Sequence, residues 1–139
     1  MSSTILLVED NPDDAELTRL ALDRLGKYAR VVVLGDGAQV MDYLADDLRV
    51  SQVRVIILDV KLPKMDGIQV LAKLKSGART RSIPVVMLSS STRGSDIAQC
   101  YEAGANSFVV KPVELDDYLD KISALARYWD EVNQPPPVR

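Results

Sequence analysis

The sequence predicts an α/β domain: a doubly wound parallel sheet of five strands in the order 2-1-3-4-5, with helices on both faces. Three observations carry this. Short apolar runs alternate five times with segments of helical periodicity, which argues for parallel strands joined by helical crossovers. The runs are apolar throughout, as in strands covered on both faces, and do not alternate apolar with polar. The strong polar candidates all stand where a run ends, which is where ligands bind in such sheets.

Each element follows in chain order. Thr4 to Glu9 reads as a buried strand ending in Glu9-Asp10. Asn11-Pro12 supplies an N-cap and a first helical residue. The helix then carries Leu17, Leu20, Ala21 and Leu25 on one face and stops at Gly26. Arg30 to Leu34 is a β-branched second strand, closed by the turn Gly35-Asp36-Gly37. One helix with Val40, Met41, Leu44 and Leu48 comes next. The third strand is the apolar run Val55 to Leu58, which leads straight into Asp59. Pro63 and Gly67 break the chain before a helix with Ile68, Val70, Leu71 and Leu74, which Asp66 caps and Ser76-Gly77 ends. Pro84 to Ser89 is the fourth strand. Ile97, Ala98 and Tyr101 mark a short helix that stops at Gly104, and Ser107 to Lys111 is the fifth strand. The last helix has Leu115, Tyr118, Leu119, Ile122, Leu125, Ala126 and Trp129 on one stripe. Residues 1–130 are thus expected as one domain, and residues 131–139 as a Pro-rich, extended tail. The whole reads as a flavodoxin-like fold.

Composition narrows the function classes. At 139 residues, with 47% hydrophobic and 27% charged side chains, the chain is expected to be a soluble globular domain. A net charge of −3 gives no footprint for nucleic acid or an anionic membrane. No apolar run approaches a membrane span, and no signal peptide is visible. The single Cys100 excludes an internal disulfide and suits a reducing cytoplasm. The absence of histidine removes His-based triads, His metal sites and phosphohistidine chemistry together.

The rim of strand ends is the informative feature. Strand one ends in Glu9-Asp10, strand three in Asp59, strand four in Ser89 and strand five in Lys111. Singly these are ordinary residues: loop acids, a strand-end hydroxyl, a solvated lysine. Together they have a chemistry. Neighbouring carboxylates repel, and one is forced neutral unless a cation joins them. Oxygen donors with open positions suit Mg²⁺, which prefers a few carboxylates plus a phosphate. Lys111 supplies a point positive charge and Ser89 a hydroxyl donor for phosphate oxygens. Asp59 is then the carboxylate free to attack phosphorus and form an aspartyl phosphate.

Glu9-Asp10, Asp59, Pro63, Gly67, Ser89 and Lys111-Pro112 together resemble the receiver domain of two-component response regulators, over roughly residues 4 to 128. The resemblance implies that Asp59 takes a phosphoryl group from a phosphohistidine on a sensor kinase. It implies Mg²⁺ held by Asp10, Asp59 and the Lys61 backbone carbonyl, with Glu9 acting mainly through water. Ser89 and Lys111 would hold the phosphoryl oxygens, and the Lys111–Pro112 bond would be cis. On phosphorylation Ser89 would move toward the site and Phe108 would swing into the space vacated. This would change the face formed by the Ile97–Tyr101 helix, the fifth strand and the last helix. Ser89 stands where Thr is more usual and keeps the hydroxyl. Phe108 stands where Tyr is frequent, so its switch would be packing alone. Lys61, two residues after the acceptor, would tune access of the hydrolytic water.

The tail narrows the resemblance. Tyr128-Trp129, Asn133 and Pro135-Pro136-Pro137, with Gly104-Ala105-Asn106-Ser107 upstream, resemble the single-domain regulators paired with bacterial and cyanobacterial phytochrome kinases. This implies a phytochrome as the cognate kinase and a homodimer using the face of the Ile97–Tyr101 helix and fifth strand with a C-terminal arm; output is expected through a partner protein, since no DNA-binding or enzymatic segment follows. The alternative is that Trp129 finishes the core stripe and the prolines fray. Two other classes compete with the relay. A phosphatase resembling the haloacid dehalogenases needs an acid two residues after the nucleophile, where this chain has Lys61. A binding module on this fold would be a flavin site, which needs a Ser/Thr/Gly-rich loop where Glu9, Asp10, Asp13 and Asp14 would repel the phosphate, or a receiver without phosphotransfer, which usually lacks one of the acids or the lysine, all present here.

Overall fold

The computed structural model describes residues 3–23 and 29–137, and among these residues it has five strands and six α-helices, two of the helices following the second strand in succession. In order they are β1 (Ser3–Val8), α1 (Pro12–Asp23), β2 (Ala29–Leu34), α2 (Gly37–Tyr43), α3 (Asp47–Gln52), β3 (Val53–Asp59), α4 (Gly67–Ser76), β4 (Val85–Ser89), α5 (Gly94–Glu102), β5 (Ser107–Val110) and α6 (Leu115–Arg127). A single π-type turn, Tyr128–Val132, follows α6 and closes with the Asn133 amide donating to the Tyr128 carbonyl. All strands are parallel, in the order β2-β1-β3-β4-β5. The topological switch therefore lies between β1 and β3.

The two-residue period of a strand divides the core. Leu6, Val8, Ile56, Leu58, Val85 and Met87 face one side, under Val40 of α2, Val50 of α3, Val70, Leu71 and Leu74 of α4, and Cys100 of α5. Ile5, Leu7, Val55, Ile57, Val86 and Leu88 face the other, under Ala15, Ala21 and Leu22 of α1 and Tyr118, Leu119, Ile122 and Ala126 of α6. Both faces are covered, so β1 and β3 need no polar face. The sequence expectation of the fold class and strand order is met.

Several local expectations change. Leu20 is 52% exposed, and α1 packs through Ala15, Thr18, Ala21 and Leu22, one position round the helix from the expected face. Leu25 and Gly26, expected to close this helix, lie outside the described residues. The expected single helix after β2 is two, because Asp46 caps a new start by accepting from the Leu48 and Arg49 amides. Leu48 consequently points outward. Leu115 also stands half-exposed at the start of α6. Trp129 packs against the α1–α6 side of the core, while Tyr128, edge-on to it, is half-exposed. The cis Lys111–Pro112 bond is not found: among the described residues every peptide bond is trans. Trans is favoured by about 0.5–1 kcal/mol before proline. With it Lys111 already reaches two carboxylates, so nothing in this arrangement offsets the cost of cis.

Candidate functional site

The sheet's own hydrogen bonds carry on past the strand ends and fix the rim. The Glu9 amide donates to the Leu34 carbonyl, the Val60 amide to the Leu88 carbonyl and the Lys111 amide to the Ser89 carbonyl, all within 3.0 Å. The residues that follow β1, β3 and β5 therefore stay tied to the sheet. Glu9, Asp59 and Ser89 are buried, while Asp10 is exposed at the mouth. With Asn11, Asp14, Lys61, Ser90 and Lys111 they line one cavity of about 230 Å³ at the carboxyl end of the sheet. The cavity brings together Glu9, Asp10, Asp59, Lys61, Ser89 and Lys111 of the expected set. Phe108 lies elsewhere, packed partly buried beneath the α5 side.

Lys111 is the centre of the polar contacts. Its Nζ donates to Asp59 Oδ2 at 2.7 Å and to Glu9 Oε1 at 3.2 Å. Asp59 Oδ1 accepts from the Lys61 amide at 3.1 Å. Burial pushes the Glu9 carboxyl up to about 7; its hydrogen bond with Asp59 and the Asp59 charge push the same way, and Lys111 only partly opposes them. Burial alone would lower the Lys111 ammonium, but the Asp59 and Glu9 carboxylates outweigh it and raise the pKa overall, keeping the ammonium charged. The Ser89 hydroxyl oxygen accepts from the Ser91 amide at 3.1 Å, which leaves its proton for another acceptor.

The backbone around the acid is unusually close-packed. The Gly67 amide donates to the Val60 carbonyl at 2.8 Å, and a Cβ on Gly67 would lie 2.2 Å from the Asp59 carbonyl oxygen. Only glycine lets α4 begin this near the strand end. The helix is then fixed by a reciprocal cap, in which Asp66 accepts from the Gln69 amide while the Gln69 side chain accepts from the Asp66 amide. On the opposite wall, Asn11 caps α1 by accepting from the Asp13 and Asp14 amides, and its own amide reaches Glu9 Oε2 at 3.4 Å.

Four contributors were not singled out as site residues in the sequence: Asn11, Asp14, Ser90 and Ser91. Asn11 and Asp14 line the cavity, and an Asn-Pro start two residues after an acidic strand end is the signal that could have marked them. Ser91 organises the loop after β4, donating to Asp96 Oδ2 and accepting from the Arg93 amide. Among the described residues no three acidic or cysteine side chains lie close enough together to hold a metal ion by themselves. The Lys111 ammonium stands between Glu9 and Asp59, and Asp10 faces solvent.

The comparisons with known proteins agree with this fold. The model of the response regulator receiver domain matches residues 5–123. Among curated relatives, the probable methanogenesis regulatory protein FilR2 of Methanothrix harundinacea is 39% identical, over 95% of this chain and 86% of that protein. Response regulator Rcp1 of Synechocystis sp. is 32% identical over 91% of this chain and 88% of its own length. A solved Mn²⁺-bound form of Rcp1 superposes with a TM-score of 0.85. The phosphorylated cyanobacterial phytochrome response regulator RcpA superposes with a TM-score of 0.89 at 33% identity, covering 98% of this chain and 99% of that one. The bacteriophytochrome response regulator RtBRR is 46% identical with a TM-score of 0.74, covering 99% of this chain and 86% of that one. Phytochrome-associated regulators are thus among its structural relatives. No described helix is long and apolar enough to cross a membrane. With the family model matched over most of its length, the chain belongs to the response regulator receiver domains, phosphoacceptors that sensor histidine kinases phosphorylate.

Proposed function

We propose that Asp59 is the phosphoacceptor of a Mg²⁺-dependent relay. The observation that carries this is the position of its carboxylate: buried, at a strand end, and held at one oxygen by the Lys111 ammonium and at the other by the Lys61 amide. Such a carboxylate is oriented for in-line attack on phosphorus. Lys111 stabilises charge on the incoming phosphoryl oxygens, and the Ser89 hydroxyl donates its free proton to one of them. The donor set also fits a hard dication. Glu9, Asp10, Asp59 and the Lys61 carbonyl offer oxygen only, and the three acids line one cavity in which Lys111 pairs with Glu9 and Asp59. When bound, Mg²⁺ would neutralise these acids and the phosphoryl group. Asp10 and Asp59 would hold it directly and Glu9 through water.

Ser89 and Phe108 form the switch in this reading. Ser89 Oγ leaves its contact with the Ser91 amide for the phosphoryl group, and the half-buried Phe108 takes the space released. The response passes to a partner protein, and the donor is a sensor histidine kinase of the phytochrome type, supported by the similarity to RcpA and RtBRR. A homodimer through the C-terminal arm belongs to this reading, supported by the half-exposed Tyr128 alone, since its neighbour Trp129 packs on the core; a monomer by sedimentation, with and without a phosphoryl mimic, counts against it.

Incubation with acetyl phosphate and Mg²⁺, followed by weighing the intact protein, tests the relay. The expected result is one added phosphoryl group, absent in EDTA. No added mass in the wild type overturns the reading. Mixing with a phytochrome kinase under red and far-red light tests the donor: transfer that depends on the light supports it, and transfer indifferent to light does not.

A further inference from the structure

The seam between α1 and α6 holds a polar chain that the phosphoryl chemistry has not used. Thr18, in the middle of α1, is 1% exposed, and its hydroxyl donates to the Asp14 carbonyl one turn back at 2.9 Å. The same oxygen lies 2.5 Å from the Tyr118 hydroxyl of α6, across 100 residues of sequence. A threonine hydroxyl has a single proton. Since Thr18 gives it to Asp14, Tyr118 must be the donor to Thr18, and the direction of the chain is set: Tyr118 to Thr18 to the Asp14 carbonyl.

That chain ends at the turn that carries the acids. Asp14 closes the first turn of α1, whose Asn11 cap accepts from the Asp13 and Asp14 amides and reaches Glu9 with its own. Asp10 lies between Glu9 and Asn11, exposed, so its place depends on how this turn is held. Tyr118 is also close to the site in space. It lines a cavity of about 330 Å³ with Asp14, Leu17, Lys111 and Pro112, and Asp14 and Lys111 line the acidic cavity too. The Tyr118 phenol is itself pushed up, mainly by burial, and it feels the charges of Lys111, Glu9 and Asp14. A mid-helix threonine bonded to the carbonyl four residues back tends to bend a helix. A buried partner from α6 holds that hydroxyl in one place. Further along, Ser123 Oγ donates to the Ala21 carbonyl and registers the rest of the seam without approaching the site.

We propose that Tyr118 is a positioning residue for cation binding, holding Asp10 and the first turn of α1 in place through Thr18 and Asp14. The inference rests on the reading of the rim as a Mg²⁺-dependent phosphoacceptor site. Its signature is a coupling between two residues that touch no metal ligand.

Tyr118→Phe, Thr18→Val and the double variant are compared with wild type by Mg²⁺ titration calorimetry, and Thr18→Ser serves as the conservative control. Each single hydroxyl deletion is expected to weaken Mg²⁺ binding about five-fold, an amount of order 1 kcal/mol, as for one lost hydrogen bond. The double variant is expected to bind no more weakly than either single one, because both break one chain. Thr18→Ser keeps both bonds and wild-type affinity. In metal-free protein, amide exchange is expected to quicken in the first two turns of α1 in both deletions, while the amides around Ser123 and Ala21 keep their protection. Unchanged Mg²⁺ affinity in folded Tyr118→Phe overturns the proposal, even if its melting temperature falls, since lost packing alone lowers stability. Additive losses in the double variant overturn it as well. Failure of the wild type to bind Mg²⁺ overturns the reading of the site itself, a result separate from the others.

Discussion

Lys111 Nζ lies 2.7 Å from Asp59 Oδ2, joining the end of β5 to the end of β3 across the whole width of β4. The pair is mostly buried, with 18% of the lysine side chain and 10% of the aspartate exposed. It has two consequences. The carboxylates keep the lysine charged in a buried place, and the lysine is aimed where phosphoryl oxygens would arrive in the proposed reading.

Lys111→Met should therefore cost both stability and chemistry. Removing the cation leaves Glu9 and Asp59 facing each other in the core rim. Breaking a buried pair typically costs 3–5 kcal/mol, and the partial exposure of Lys111 lowers the expectation to about 2 kcal/mol at pH 8 without metal. Urea unfolding checks this. Labelling by acetyl phosphate in the same variant should fall at least ten-fold, about the effect of losing one charged contact to the transferred group. A variant of wild-type stability that still labels normally would sink both claims.

Gly67→Ala probes the close approach of α4 to the acceptor. The new Cβ would meet the Asp59 carbonyl oxygen at 2.2 Å and Val60 Cα at 2.8 Å, and both are backbone atoms that cannot swing aside. Overpacking of this kind costs about 1–3 kcal/mol. The strand end must also shift, so Asp59 labelling should slow. Gly94→Ala is the control, since a Cβ there meets nothing within 4 Å. Equal stabilities for the two variants would contradict the packing account.

The buried Glu9 gives a pH dependence whose sign is unusual for a carboxylate. Its folded pKa is raised from 4.5 to about 7, so between these values the metal-free native state holds a proton that the unfolded chain has lost. Stability from this group is present below about pH 4.5, falls as pH rises, and stops changing above about pH 7. The slope is at most about 1.4 kcal/mol per pH unit. Glu9→Gln should remove it, so the difference in unfolding free energy between variant and wild type should grow in the variant's favour from pH 4.5 to 7 in EDTA. A difference independent of pH, or one of opposite sign, would contradict this environment for Glu9.

Much of this was legible in the sequence, and what was not has definite causes. The uninterrupted run Val55–Leu58 ending in Asp59 revealed a strand buried on both faces, because only such a strand can dispense with polar alternation. Asp66 was legible as a cap from local pattern alone, and the structure adds the reciprocal bond to the Gln69 side chain. Leu48 misled because helical spacing continues from Leu44, and only the Asp46 side chain turning back on the Leu48 amide shows that a new helix starts. Leu20 misled because α1 buries a narrower, smaller-residue face, including Thr18, whose partner Tyr118 is 100 residues away. No local pattern announces such a pair. The Lys111–Pro112 bond was expected cis by resemblance, and the sequence itself carries no signal for the isomer.

The central claim is that Asp59 accepts the phosphoryl group, and the most direct measurement maps it. Protein labelled with acetyl phosphate and Mg²⁺ is reduced with borohydride, which converts an acyl phosphate to the alcohol, and is then digested and sequenced by mass spectrometry. The expected product is homoserine at position 59 and at no other carboxylate, with no label at all in Asp59→Asn. Reduction at another acid of the rim, or undiminished labelling of Asp59→Asn, would contradict the account.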